Sequence, residues 1–490
     1  MSTSTSIMPT PPATAVGTRR WAVLGVVAVA QLMIVLNNTV MNIALAPMQI
    51  ELGVSNADRQ WVVTSYALAF GSLLLLGGRL ADLIGRRRAL LLGLGGGGIA
   101  ALFGGAADSF TVLVTARAAQ GAFAALSAPA ALSLLTESFA AHRGRATALG
   151  VFSAIVASGA TVGLLVGGLL TQYAGWRWCL NISAAIALVA VVGAVVLLPA
   201  PHNSARPRVD LPGALTVSLG LMSLVYGFGV AATAGWSSPR VVATIAGGVV
   251  LLVGFVLLQR RAANPLLPLR VVRDRDRGGA LLTLFIVAAG MFATTLFTTY
   301  FLQRTAGLSP VVTGLAFLPM VALIVAASTT VPSTLLPRLG PKPLIAGGLL
   351  LGAGALTWLS RITVDTTYAP GVLGPLMILG LAVGTVNAAS INTATKGVEP
   401  DDVGAGSAIV NTMPQVGGAM SIALLSTVAA TVTASSLAPG PVGPLASQTA
   451  AVSGYGAALS CAAVLFLFGA VVCGPMIRRR PTTTEDDHHD

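Results

Sequence analysis

The sequence predicts an all-α polytopic membrane protein, and its composition and charge distribution carry that prediction. Of 490 residues, 55% are hydrophobic and only 9% are charged, and the mean hydropathy is +0.84. Soluble domains carry roughly 25% charged residues, so this chain lacks the polar groups to cover a water-facing surface. The net charge of +12 does not indicate nucleic-acid binding, because the basic residues form short clusters between apolar segments instead of one face.

Fourteen apolar segments are long enough to cross a bilayer as helices, which takes about 20 residues each. Most of the 28 lysines and arginines fall in alternate connecting segments, beginning with the N-terminal one. Because basic residues accumulate on the cytoplasmic side, we expect both termini to face the cytoplasm. The predicted spans are 21–45, 61–80, 89–107, 111–135, 146–170, 179–199, 213–232, 241–258, 279–302, 310–330, 343–360, 371–391, 404–430 and 453–476.

The two ends of the chain and its cysteines indicate no further chemistry. We expect disordered cytoplasmic tails at 1–20 and 477–490. The second tail contains His488 and His489, which leaves metal binding open beside the expectation of a solvated tail. The three cysteines form neither a disulfide framework nor a CxxC pair, so we predict no metal site and no cofactor.

A short basic loop joins the second and third predicted spans. A carboxylate among arginines can form charge-assisted hydrogen bonds that hold one conformation, whereas the arginines alone would also fix the orientation of the loop. We therefore predict a conformational latch in this loop. Its candidate residues are Gly78, Asp82, Gly85, Arg86, Arg87 and Arg88.

This loop has a weaker echo between the tenth and eleventh spans. In the segment 335–345, Gly340 occupies the place of Gly85. Related halves are common in transporters. The echo predicts a six-helix half at 21–200, a linker with an inserted helix pair at 201–277, and a second six-helix half at 278–476.

Six further motifs occur in order along the chain. They are Leu36–Leu45 in the first span, Arg117-Ala-Ala-Gln120-Gly121 in the fourth, Gly159, Gly163, Gly167 and Gly168 in the fifth, and the segments 175–178, 235–239 and 303–310. Together with the basic loop they resemble the fourteen-spanner drug:proton antiporters of the major facilitator superfamily over nearly the whole chain. The resemblance implies the major facilitator fold, alternating access, and a basic loop that latches the outward-open state.

Arg117 is the charge that we place deepest in a predicted span. An intramembrane ion is costly and usually faces a cavity or a partner. Asn37 lies at a similar depth in the first span, so we expect the two residues to hydrogen-bond, with Gln120 in the same motif. Arg117 would then act in coupling or substrate binding; the alternative is that it only holds the first and fourth spans together.

Two positions depart from the family pattern. Resembling proteins usually carry an acid where Asn37 stands and a proline where Leu164 stands. Because Asn cannot titrate or neutralise a cation, we expect neutral or anionic substrates in preference to lipophilic cations. Proton coupling would run through Arg117, water and a peripheral acid such as Glu137. Without the proline, export is a weaker inference than in the family, and uptake stays open.

The glycines of the fifth span would form the family's antiporter motif, with simple helix packing as the alternative. We expect the substrate cavity to have apolar walls and few polar anchors, although interhelical hydrogen bonding is the alternative role for each anchor. The candidate anchors are Asn38, Asn42, Tyr66, Tyr300, Asn411 and Gln415.

The leading functional prediction is secondary active efflux of small amphipathic drugs or antibiotics in exchange for protons. A carrier for one metabolite and a sensor or lipid-handling protein on the same fold are the alternatives. Neither a phosphate-binding loop nor a catalytic constellation supports an enzyme. We expect a monomer in the plasma membrane. Arginine far outnumbers lysine, and alanine and glycine are abundant, so we expect the source to be a bacterium.

Overall fold

The computed structural model describes residues 13–54, 61–139, 144–198, 210–262, 265–267, 269–399, 402–437 and 443–478. These residues are almost entirely helical, and none of them forms a strand. Within them, thirteen helices are long and apolar enough to cross a membrane. The remaining predicted span coincides with Arg145–Tyr173, a helix of 29 residues. The predicted all-α polytopic fold is therefore confirmed.

The helices before residue 200 form what we call the N-terminal bundle. Its first predicted span is divided between two helices that meet at Val40, which keeps helical backbone angles, so the division is a local irregularity. The helices are α1 (Ala13–Thr39), α2 (Met41–Glu51), α3 (Trp61–Ile84), α4 (Arg86–Gly105), α5 (Phe110–Ser138), α6 (Arg145–Tyr173) and α7 (Trp178–Leu197).

The rest of the chain contributes an inserted pair, a short connector and what we call the C-terminal bundle. π-helical turns at Phe301–Thr305 and Ala369–Leu373 adjoin two of its helices. The inserted pair is α8 (Leu211–Ala234) and α9 (Pro239–Arg261), and the connector is α10 (Leu269–Arg273). The C-terminal bundle contains α11 (Arg275–Tyr300), α12 (Pro310–Ala316), α13 (Leu318–Thr334), α14 (Leu336–Leu339), α15 (Pro341–Leu359), α16 (Gly374–Thr395), α17 (Val403–Leu437) and α18 (Pro444–Met476).

Glycines bring the backbones of corresponding helices into contact in both bundles. A Cβ atom built on Gly77 of α3 would lie 2.0 Å from the carbonyl oxygen of Ala125 in α5. In the C-terminal bundle, a Cβ atom on Gly380 of α16 would lie 2.4 Å from the carbonyl oxygen of Met320 in α13. Helices in lipid associate by such close packing of small residues, because no hydrophobic force acts between them there.

The two basic loops that echo each other in sequence also share a backbone feature. Gly85 precedes α4 with φ +91°, and Gly340 precedes α15 with φ +74°. Side chains with a Cβ atom rarely adopt positive φ. Both loops therefore require glycine at the residue where one helix ends and the next begins.

The inserted pair lies across the two bundles. At one end α8 meets α3, where the rings of Tyr226 and Trp61 are 5.8 Å apart. On its other side it meets α17, where Phe228 packs with Ala423 and Trp236, in the α8–α9 turn, donates to the hydroxyl of Thr427. The outer face of α9 exposes valines, as expected of a helix that faces acyl chains.

The close packing at Gly77 gives a direct test of the fold. We expect Gly77→Ala to lower stability by about 1–3 kcal/mol, the usual cost of overpacking, because the new methyl group meets main-chain atoms. Gly95→Ala is the matched control, since a Cβ atom there has nothing within 4 Å. Thermal unfolding in detergent measures both variants, and equal melting temperatures would contradict the α3–α5 contact.

Candidate functional site

Arg117 lies two turns into α5 and is completely buried. Its Nε donates to the carbonyl oxygen of Val62 at 2.9 Å, and its Nη2 donates to the carbonyl oxygen of Asn37 at 2.9 Å. Its Nη1 donates to Oε1 of Gln120 at 3.0 Å. The guanidinium therefore ties α5 to α3 and α1, through main-chain oxygens that no substitution removes.

The other contacts around this guanidinium come from Tyr66 and Asn37. The Tyr66 ring centroid lies 4.5 Å from Cζ of Arg117, a cation–π distance, and its hydroxyl donates to the carbonyl oxygen of Ile34 at 3.1 Å. Gln120 Nε2 donates to Oδ1 of Asn37 at 3.4 Å. The side-chain nitrogen of Asn37 is buried and has no partner among the described residues. We call Asn37, Tyr66, Arg117 and Gln120 the Arg117 cluster.

The Arg117 cluster has an unusual charge balance. No carboxylate in the described residues forms an ion pair with Arg117. Its positive charge is distributed over neutral oxygens and one aromatic face, at a depth where an ion is costly. The cluster can therefore hold three helices together and attract an anionic group, but none of its four side chains titrates near neutral pH.

The latch residues lie at what we call the arginine-rich end, the end that contains the α3–α4 loop, the start of α6 and the α16–α17 loop. Arg86 donates through Nε and Nη2 to Oδ1 of Asp82, both at 3.4 Å, and also pairs with Glu137. A Cβ atom on Gly404 would lie 2.1 Å from Oδ2 of Asp82, and one on Gly78 would lie 2.9 Å from the carbonyl oxygen of Gly404. The carboxylate thus sits against the first turn of α17.

The three consecutive arginines of the α3–α4 loop make different contacts. Whereas Arg86 joins the carboxylates, Arg87 donates to the carbonyl oxygens of Ala194 at 3.4 Å and Val195 at 2.8 Å, near the end of α7. Arg88 is exposed. Of the three, Arg86 is therefore the one that bonds Asp82, the carboxylate that lies against α17.

Other polar contacts also join the two bundles at the arginine-rich end. The hydroxyls of Ser133 in α5 and Ser407 in α17 lie 3.1 Å apart. Arg145 at the start of α6 donates through Nη2 to the carbonyl oxygen of Thr395 at 3.0 Å and to its hydroxyl at 3.2 Å. The bundles are thus closed against each other at this end.

The glycines of the antiporter-like motif in α6 face α1. A Cβ atom on Gly159 would overlap Val35, and one on Gly167 would lie 2.7 Å from the carbonyl oxygen of Val40. Gly163 and Gly168 are buried. These contacts explain Gly159 and Gly167 by packing. The side chain of Leu164 lies outside the described residues.

The predicted cavity anchors are scattered. Tyr66 belongs to the Arg117 cluster, and Tyr300 lies under the guanidinium of Arg304, whose Cζ is 4.8 Å from the ring centroid. Asn411 donates to the carbonyl oxygen of Ser407 at 2.8 Å within α17. Gln415, one turn further, faces Gly71 of α3. The side chains of Asn38 and Asn42 lie outside the described residues, as do His488 and His489.

Glu137 and Arg117 are not brought together. Both belong to α5, and their separation of 20 residues corresponds to about 30 Å along a helix. Glu137 is half exposed and pairs with Arg86. A direct proton exchange between Glu137 and Arg117 therefore has no geometric basis in this conformation.

Sequence reasoning missed two charged contacts. In the sequence Arg145 is one basic residue among many in the connecting segments, although it bonds Thr395 of the other bundle. At the opposite end, Glu51 accepts from Nε1 of Trp176 at 2.6 Å and pairs with Arg177, which also donates to Ala107. The hydrogen bonds from Trp176 and then Arg177 hold the pKa of Glu51 below its ordinary value. In both cases the partners are more than 100 residues apart, so no local sequence pattern indicates that they pair.

The Arg117 cluster predicts a strict requirement for arginine. Lysine keeps the charge but cannot donate to three acceptors in different directions, so Arg117→Lys should lose about 2 kcal/mol or more of stability. Arg240→Lys is the control, because Arg240 is exposed and its recorded hydrogen bond is a single one, to Tyr226 at 2.8 Å. Thermal unfolding in detergent should separate the two variants clearly; a tolerated Arg117→Lys would show that the three bonds contribute little.

Comparison with known proteins identifies the family. The family model described as Major Facilitator Superfamily matches residues 27–422. The puromycin resistance protein of Streptomyces alboniger is 45% identical over 471 residues, which cover 96% of this chain and 93% of that protein. The cephamycin export protein of Amycolatopsis lactamdurans is 37% identical over 402 residues, covering 81% and 83%.

A solved structure agrees at the level of the fold. The human organic anion transporter MFSD10 superposes with a TM-score of 0.66 at 14% identity, covering 95% of this chain and 100% of the other. At that identity the likeness concerns the fold alone. Because the family model and both bacterial relatives extend over most of the sequence, this chain belongs to the Major Facilitator Superfamily of membrane transporters.

Proposed function

We propose that this protein is a secondary active exporter of small amphipathic antibiotics, working by alternating access in exchange for protons. The observation that carries the proposal is the contact of Asp82, which Arg86 holds in place, with the first turn of α17. This contact joins the two bundles through side chains that can separate without breaking a helix. The names of the two bacterial relatives, one a resistance and one an export protein, support efflux as the direction.

The arginine-rich end is the cytoplasmic end in this proposal, and both termini lie there. The support is the alternation of basic segments along the sequence, since basic residues accumulate on the cytoplasmic side. The conformation described here is then closed to the cytoplasm. A transporter in this state would release its substrate outside and take up protons there.

Neutral or anionic molecules are the substrate class that we propose. The Arg117 cluster supports this, because it has a buried cation and, in the described residues, no carboxylate partner. The side-chain nitrogen of Asn37, which has no partner within the described part of the chain, is a further donor beside it. Donors and a positive charge together attract acceptor-rich or anionic groups.

Proton coupling is proposed to use groups away from the Arg117 cluster. The cluster has no side chain that titrates near neutral pH. Asp82 and Glu137, which both contact Arg86, are the carboxylates whose surroundings would change if the arginine-rich end opened. Protonation of either one would weaken its bond to Arg86, so opening of the arginine-rich end would depend on the pH at that end.

Everted membrane vesicles provide the test of export. We expect several unrelated antibiotics to cause proton release from energised vesicles that contain the protein. Asp82→Asn should reduce the rate about tenfold, the effect of losing one charge-assisted hydrogen bond. Asp108→Asn, which changes an exposed carboxylate at the opposite end, should leave it unchanged.

The alternatives give different results in the same vesicles. One tight substrate without effects of the others would identify a carrier for a specific metabolite. Absence of flux with every compound would contradict transport and favour a sensor. Flux without proton movement would overturn the exchange for protons while leaving export intact.

Substrate charge preference is tested by Asn37→Asp. The new carboxylate would lie beside Arg117 and cancel its charge, so we expect uptake of lipophilic cations into everted vesicles to rise and that of anions to fall, each by about tenfold or more. Asn37→Leu removes the amide without adding charge and should not produce the gain for cations. An unchanged substrate spectrum in Asn37→Asp would contradict the role of the Arg117 cluster in selectivity.

A further inference from the structure

Arg145 is the first residue of α6, and its side chain is half buried between three helices. Its Nη1 donates to the carbonyl oxygen of Thr136 at 3.2 Å, in the last turn of α5. Its Nη2 donates to the carbonyl oxygen and the hydroxyl of Thr395, the last residue of α16. One guanidinium therefore bonds the ends of two helices, one in each bundle.

The electrostatics of this position favour the contact between bundles. A cation at the first residue of a helix lies at the positive end of that helix's own dipole, where it is disfavoured. Arg145 is instead beside the C-terminal carbonyls of α5 and α16, which are left without helical partners and carry partial negative charge. The carbonyl groups of α5 and α16 therefore stabilise the guanidinium of Arg145 at this position, whereas the dipole of α6 disfavours it.

The internal repeat shows why a contact is needed there. The two bundles meet along two related seams, α3 against α17 and α6 against α13. Asp82 holds the first seam. In the loop that repeats the Asp82 loop, Pro337 stands in place of the acid and Pro341 in place of Arg86. That loop therefore cannot offer a carboxylate to α6 at the second seam.

The second seam is nevertheless closely packed. A Cβ atom on Gly150 of α6 would lie 2.1 Å from the carbonyl oxygen of Ser328 in α13 and 3.3 Å from Cγ of Pro332. At Gly150 the backbones of α6 and α13 are too close for a side chain to lie between them. Beside this seam, at the arginine-rich end, Arg145 bonds Thr395 of α16.

We propose that Arg145 is a second latch at the arginine-rich end, which holds α6 to α16 beside the seam that lacks the repeat's acid. Arg145 is a cation beside the C-termini of two helices, whereas Asp82, the first latch, is an anion near the N-terminus of a helix. It is a positioning residue that sets how often this end opens. Its role in transport rests on the alternating-access function proposed above.

The test measures opening directly and needs no substrate. In a background without Cys179, Cys461 and Cys473, Ser407→Cys places a thiol at a site that is 2% exposed between the bundles. In lipid nanodiscs, a water-soluble maleimide labels this thiol only when the arginine-rich end opens. Adding Arg145→Ala should raise the labelling rate about tenfold, the effect of one lost charge-assisted hydrogen bond.

Arg277→Ala is the matched control. Arg277 also donates to carbonyl oxygens just after α16, those of Lys396 and Gly397, but it belongs to the same bundle. Its loss should leave the labelling rate unchanged. Equal rates in the Arg145 and Arg277 variants, whether both raised or both unaltered, would overturn the proposal.

Conservative variants separate a latch from a purely local role. Arg145→Lys keeps the charge beside both helix ends and should give a labelling rate between those of the parent and Arg145→Ala. Arg145→Gln serves where the alanine variant folds poorly, and it should also accelerate labelling. A lower melting temperature without faster labelling would show that Arg145 only caps α5. Because labelling needs no substrate, these results stand even if the vesicle assays find no export.

Discussion

In the mechanism that we propose, the closed conformation depends on the contact of the Asp82 carboxylate with the first turn of α17. In a chain with 9% charged residues, the long seams between the bundles consist mainly of small and apolar side chains. Such seams provide no strong preference for one relative position of the bundles, because lipid solvates apolar surfaces equally well. Charged groups at helix ends, where backbone dipoles are uncompensated, supply the preference. Gly404 and Gly78 make the approach of the carboxylate possible by lacking side chains.

The buried polar groups around Arg117 lie inside one bundle, whereas Asp82 and Arg145 at the arginine-rich end lie between the two bundles. The Arg117 cluster lies within the N-terminal bundle, and the hydrogen bonds described for it all stay inside that bundle. In the proposed mechanism it would therefore move as one unit when the bundles reorient. In the mechanism that we propose, contacts at the ends decide which side is open, while the cluster offers the same buried positive charge in either orientation. The proposal thus gives selectivity and gating to separate groups of residues.

The sequence predicted the helices well, since hydropathy and length are local properties. It also pointed to the basic loop and to Arg117, because charge in an apolar chain is conspicuous. It could not show that Arg117 bonds main-chain oxygens of Asn37 and Val62, since main-chain acceptors leave no trace in a sequence. Nor could it separate Arg145 from the other basic residues of the loops, because its partner is 250 residues away.

Whether the bundles separate at the arginine-rich end during transport is measured most directly by cross-linking Ser133 to Ser407, whose hydroxyls lie 3.1 Å apart. In a protein whose other cysteines are replaced, Ser133→Cys with Ser407→Cys should form a disulfide on oxidation. The account predicts that oxidation stops substrate flux in vesicles and that reduction restores it. Full flux through the cross-linked protein would contradict opening at this end.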